Sequence, residues 1–179
     1  SMTARRVAAA LLIWMAAGWN FALTAEKPVV SVLYLSRAGD PDYVAERSYA
    51  GLALRDPKPV VEGARIAMKE SRIRGRALGL EFRLDELELA SGADAVEAVR
   101  AAAPRAVVLD LPLADLAAIT EALGGRDDLI LFNPRHADDA LRAEGCAPSL
   151  LHTLPSRAML ADALAQFLAV RGWREVLVL

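Results

Sequence analysis

The sequence predicts an α/β fold, a doubly wound and mostly parallel sheet, on three observations. Short continuous apolar runs alternate with longer stretches of helical period, the pattern of βα units around a buried parallel sheet. Glycine and proline fall at the joints between these stretches. The 179 residues, 55% hydrophobic and 25% charged, suffice for one globular unit and not for two. The same figures exclude disordered, collagen-like and disulfide-scaffold classes.

Strands are expected at 29–35 (VVSVLYL), 80–84, 106–111 (AVVLDL), 129–132 (LILF), 150–153 and 175–179 (EVLVL). A first helix is expected from Pro59, whose missing N–H costs nothing in a first turn, to Arg74. Gly75 reads as its stop, and Val60, Ala64, Ala67 and Met68 as its buried stripe. A second helix covers about 93–103, between a Ser91 cap and Pro104. The third, Leu113–Leu123, stops at Gly124 and Gly125, and a short turn covers 138–144. The last helix, 156–171, places Met159, Leu160, Ala163, Leu164, Phe167 and Leu168 on one side. Right-handed crossovers would wind these units into a sheet whose strand carboxyl ends form the ligand edge.

Two features break the regularity. The first connection, 36–58, exceeds twenty residues and is rich in polar and aromatic groups, and loops of that length are usually functional. The chain also stops on an apolar strand that needs cover on both faces, so the sequence reads as the front portion of something longer.

The formal charge is −2. The first 25 residues hold Arg5 and Arg6 and no acidic group, so the remainder carries 19 basic against 23 acidic side chains. That balance argues against a nucleic-acid surface. The local cluster Arg72, Arg74 and Arg76 reads as a solvated helix end. One cysteine permits no internal disulfide, and Cys146 is expected as a small buried residue. With two histidines and no H-E-x-x-H, no dedicated zinc site is expected.

Arg5 and Arg6 precede the apolar residues 7–19 (VAAALLIWMAAGW), a stretch too short to span a bilayer comfortably. Residues 1–25 therefore read as a secretory signal peptide cleaved after Ala25, with an uncleaved anchor as the alternative. No cysteine stands at the cleavage point for a lipid.

Strand ends direct attention to Ser36 and Arg37, Asp85 and Glu86, Asp110 to Pro112, and Asn133 to Arg135. Arg37 and Arg135 offer planar forks to a carboxylate, which would suit an anionic solute. The alternative pairs each with Asp40, Asp110 or Asp138. Asn133 and Ser36 supply neutral donors and acceptors, and Asn133 before Pro134 also reads as a turn-former. Tyr34, Tyr43 and Tyr49 are rings for a planar ligand or packing for the core and the loop. Lys58 reads as solvated, His136 as an exposed loop residue, and His152 as packed and hydrogen-bonded.

The order of these features resembles a known family. The signal peptide, VVSVLYL, the long loop, the helix with Val61-Glu-Gly-Ala-Arg-Ile-Ala67, LEFRLDE at 80–86, Leu151-His-Thr-Leu-Pro-Ser156 and Trp173-Arg-Glu-Val-Leu-Val-Leu179 are similar to type 1 periplasmic binding proteins. The cluster resembled is the one serving branched-chain amino-acid ABC transporters, over residues 29–179. Tyr34-Leu-Ser-Arg37, the loop at 43–53, Phe132-Asn-Pro-Arg135 and the run from His152 to Leu160 are similar to a narrower branch, associated with pyrroloquinoline-quinone-dependent alcohol oxidation.

The resemblance implies a periplasmic receptor with a first lobe at 26–153 and a hinge with the opening of a second, truncated lobe at 154–179. Its partners would be a small solute and the membrane permease of an ABC transporter. The quinone or an alcohol-pathway metabolite would be the ligand, and no cofactor is implied. Because the third and fourth strand ends of such proteins contribute main-chain contacts to the ligand, Asp110, Leu111 and Asn133 are carried over as rim residues, beside Tyr34, Ser36, Arg37 and Arg135.

Two other classes compete. An extracytoplasmic sensor domain uses the same features. An enzyme on this fold is disfavoured, since no G-x-G-x-x-G follows the first strand and neither a P-loop nor a G-x-S-x-G elbow occurs.

Overall fold

The computed structural model describes residues 26–47, 50, 51, 53–55 and 57–177. The expected signal peptide at 1–25, Tyr49 and the last two residues of the expected final strand lie outside them.

The chain opens with β1 (Val29–Arg37), makes a 3-10 turn (Pro41–Tyr43) and an antiparallel pair, β2 (Glu46–Arg47) and β3 (Ala53–Arg55), then enters α1 (Val61–Leu78). There follow β4 (Glu81–Leu89), α2 (Ala95–Ala102), β5 (Ala106–Asp110), α3 (Leu113–Leu123) and β6 (Ile130–Asn133). A 3-10 turn (Asp139–Arg142), β7 (Leu150–His152) and α4 (Arg157–Val170) complete the described elements.

Five strands form one sheet in the order β4-β1-β5-β6-β7, every pair parallel. The protein is thus α/β with a five-stranded parallel sheet flanked by helices, an architecture compatible with a doubly wound fold. Because strand side chains alternate between faces, Leu33 and Leu35 of β1 lie on one side and Val32, Tyr34 and Ser36 on the other. The first side packs with Val107, Leu109 and Leu131 against Val99 of α2 and Leu116, Ile119 and Leu123 of α3, forming the buried core. On the second side lies α1, where Ala64, Ala67 and Met68, with Val60 just before the helix, border a groove with Val32, Val108 and Phe132.

Four expectations are corrected. Gly75 does not stop α1: it is buried within the helix, where a Cβ would stand 2.9 Å from the Leu80 carbonyl oxygen and 3.1 Å from the Phe82 ring. The stop is Gly79, at φ 68° and ψ 22°, a left-handed conformation that glycine adopts without steric cost. The proposed stripe of α1 is only half-covered, and Ala67 is exposed. Strand β4 continues to Leu89, so Asp85 and Glu86 lie within a strand; its polar residues reflect an edge strand with one solvated face. Among the described residues 173–177 form no strand, and the apolar side of α4 is exposed, with Leu160 and Leu164 both more than half accessible.

Candidate functional site

Strand order locates the site. Strand β1 has β4, the next strand of its own sheet, on one side and β5 on the other, and ligands of open α/β sheets bind outside strand carboxyl ends where the winding reverses in this way. Register then sets the floor: Ser36 is aligned with Glu88 on one side and Asp110 on the other, so these three share a face with Tyr34. A cleft of about 610 Å³ opens there, bordered also by Arg37, Asp40, Tyr43, Val44, Pro59, Val61 and Glu86.

Asp110 is fully buried at the end of β5 and is met by three donors. Tyr34 Oη donates to its Oδ2, while Tyr43 Oη and Arg135 Nη1 donate to its Oδ1 at 2.5 and 2.9 Å. Arg135 Nη2 also lies 2.8 Å from Asp40 Oδ2 and 3.1 Å from Asp42 Oδ2. Its guanidinium stands 5.1 Å from the centre of the Tyr43 ring, within cation–π range. The aspartates are placed locally, since Asp40 caps the 3-10 turn by accepting the Asp42 N–H at 3.0 Å, with Pro41 at the first position. One guanidinium therefore fastens the long first connection to the ends of β5 and β6.

These contacts shift the titrating groups. Burial first, and then donation to Asp110, pushes Tyr43 up to about 12 and raises Tyr34 further still. Burial opposes the charge of Arg135, but its bonds to Tyr43 and Asp40 and the fields of Asp40 and Asp110 outweigh that, and its pKa is raised.

Arg37 is held differently. Its Nη1 donates to Asp115 of α3 at 3.0 Å, and its side chain remains 31% exposed at the edge of the cleft. Glu86 is gripped at both oxygens by Arg65, at 2.7 and 2.6 Å, and that grip lowers its pKa.

Of the sequence-derived residues, Tyr34, Ser36, Arg37 and Asp110 border the one cleft. Arg135 borders a second cleft of about 380 Å³ with Asp42, Tyr43, Lys58, His136 and Arg157. Leu111 and Asn133 are fully buried, Leu111 in the core and Asn133 folded back on its own loop, and the main-chain contacts that the resemblance implies for them do not depend on side-chain exposure. Two placements correct expectations. His136 is buried rather than exposed, with Nε2 2.7 Å from the Leu111 carbonyl oxygen. A carbonyl only accepts, so Nε2 carries the proton, and the Arg135 Nε at 3.3 Å finds no acceptor there. Cys146 is exposed, in the loop that follows the second 3-10 turn.

Sequence reasoning missed Glu88 and Asp115. The alternation Glu86-Leu87-Glu88-Leu89 signals Glu88, for it marks a strand with one solvated face. Asp115 had no local signal, because its approach to Arg37 depends on Gly92: a Cβ there would fall 2.1 Å from the Asp115 carboxyl group.

Among the described residues no group of three or more His, Cys, Asp or Glu is suited to hold a metal ion. No described helix is long and apolar enough to cross a membrane. Comparison with protein-family models, curated proteins and solved structures finds no match to this chain.

Proposed function

We propose that the chain is the first lobe of an exported solute receptor of the type 1 periplasmic binding class, delivering a small solute to an ABC-transporter permease. The cleft at the β1–β5 crossover carries this reading. Its size falls within the roughly 300–1,000 Å³ of small-molecule sites, and Tyr34, Ser36, Arg37 and Asp110 converge on it. On this reading the site binds and does no chemistry, and Asp110 serves to hold Tyr34, Tyr43 and Arg135 in place.

An anionic, planar solute remains the proposed ligand class, with the roles of the two arginines separated. Arg135 is engaged by Asp40, Asp42 and Asp110 and acts as a support. Arg37, tied through Nη1 to Asp115, is the cation for the solute, with Ser36 as its neutral neighbour.

Calorimetry of the full-length protein with pyrroloquinoline quinone and with leucine tests the proposal. Saturable binding of the quinone is expected, weakened about tenfold by Arg37→Ala, as loss of one charge-assisted contact implies. Tight binding of leucine with none of the quinone would overturn the anionic assignment. Turnover in an activity screen without saturable binding would overturn the receptor reading.

A further inference from the structure

A buried amide at the end of β6 sets the protonation state of a histidine at the end of β7. Asn133 is fully buried and uses all its hydrogen-bonding capacity. Its Oδ1 accepts the backbone N–H groups of Arg135 and His136, at 3.3 and 2.9 Å. Its Nδ2 donates to the His136 carbonyl at 2.7 Å and lies 2.9 Å from His152 Nδ1. Turning the amide over would aim an NH2 at two N–H donors and an oxygen at a carbonyl. The backbone, not the histidine, therefore fixes its orientation.

His152 Nδ1 must then accept, so it carries no proton. With Nδ1 accepting, the ring N–H is on Nε2; a backbone hydrogen bond at Leu141 favours the charged ring but is outweighed by burial and Arg142. A neutral imidazole satisfies every partner and an imidazolium does not. The charged group acting on the ring is Arg142 of the 3-10 turn, whose Nη2 donates to the Leu154 carbonyl and whose buried Nη1 has no hydrogen-bond partner. Its charge repels a second proton on the ring. His136, the other histidine of the chain, is joined to His152 through Asn133. Burial and Arg142 both hold the His152 pKa below its usual value.

We propose that His152 is a proton-sensitive latch between the loop at 133–136 and the segment at 153–156 that leads into α4, closed at neutral pH and released on acidification. A proton on Nδ1 sets two donors face to face across a bond that Asn133 cannot reverse, so the ring leaves. The same junction is held by Thr153 N–H on the Asn133 carbonyl, at 3.1 Å, and Arg157 N–H on the Ala137 carbonyl, at 2.9 Å. A depressed folded-state pKa means the latch stabilises the fold above the unfolded value of 6.5, and that this is lost as pH falls through the folded value. The inference stands on the loop geometry and does not need the solute reading.

Nitrogen-detected NMR of the imidazole rings across an acid titration tests it, with hydrogen exchange on the same samples. The two histidines are assigned on the wild-type chain by correlating each ring with its own backbone resonances. Expected are an Nε2–H tautomer at neutral pH and a His152 midpoint below 6.5. Amide protection at Thr153 and Arg157 should fall through that midpoint, by about tenfold for each unit of pKa depression, while Leu109 in β5 keeps its protection. In His152→Phe the pH-linked loss should vanish. A midpoint at or above 6.5, an Nδ1–H tautomer, or protection indifferent to the titration would overturn the proposal. These are read on the wild-type chain and hold even if the variant fails to fold.

Discussion

Arg135 Nη1 meets Asp110 Oδ1 at 2.9 Å, and the carboxylate it meets has no solvent exposure. The pair joins the loop after β6 to the end of β5, and through Asp40, Asp42 and Tyr43 it also holds the turn after β1. Three segments far apart in sequence are thus referred to one guanidinium, and the cleft inherits its shape from that arrangement.

Asp110→Ala should lower stability by about 3 kcal/mol, the low end for breaking a buried pair, because Asp40 and Asp42 still accompany Arg135. Urea unfolding measures the loss. Combined with Arg135→Met, the two changes should fall short of additivity by about 1–3 kcal/mol, as residues in one network do. Strict additivity would mean that the guanidinium and the carboxylate do not act together.

Tyr34 and Tyr43 should stay protonated where a free phenol ionises. Absorbance titration should show Tyr43 ionising near 12, with Tyr34 later still. The sign for stability follows from which state holds the proton. Between the unfolded value of 10.0 and the folded one, the folded chain keeps a proton that the unfolded chain releases. Stability is therefore complete below pH 10 and declines as pH rises toward 12. Tyr43→Phe should flatten that decline and cost about 1.5–3 kcal/mol at neutral pH, the range for a hydrogen bond to a charged group.

Local punctuation made some elements legible and misled at others. The bounds of α3 could be read because Pro112 and Gly124 fence an apolar helical run. Gly75 resembles such a fence but is a packing glycine, and only the approach of Phe82 from the next strand reveals it. The end of β4 was lost because an edge strand alternates, whereas β1 and β5 are continuous apolar runs. At the site, the strand-end rule pointed to Ser36, Arg37 and Asp110. The alternative pairing with Asp40 and Asp110 is the one Arg135 takes, whereas its bond to Asp42 and the bond of Arg37 to Asp115, which span 93 and 78 residues of chain, carry no local signal.

The glycines of α1 should respond to alanine with opposite signs. Helix propensity favours alanine by about 1 kcal/mol at either position. Gly63 has nothing within 4 Å of a new Cβ, so Gly63→Ala should stabilise. At Gly75 the same methyl meets the Leu80 carbonyl at 2.9 Å, and overpacking of about 1–3 kcal/mol should exceed the propensity gain. Thermal midpoints moving in the same direction would contradict the packing role of Gly75.

Helix α4 is secured at its first turn and almost nowhere else. Ser156 Oγ accepts the Met159 N–H at 3.3 Å, Asp139 Oδ1 accepts the Ala158 N–H at 3.1 Å, and Arg157 reaches Asp138 at 2.7 Å. Beyond that turn every residue is exposed except Leu168, which is half-buried. Loss of a cap usually costs about 1 kcal/mol, but the cost is felt only by the unit that the cap stabilises. Ser156→Ala should therefore reduce hydrogen-exchange protection along α4 by about fivefold, the equivalent of that energy, and leave the urea midpoint of the sheet nearly unchanged. A midpoint lowered by the full amount would place α4 inside the cooperative core, and its exposed apolar side would then have to be covered in solution.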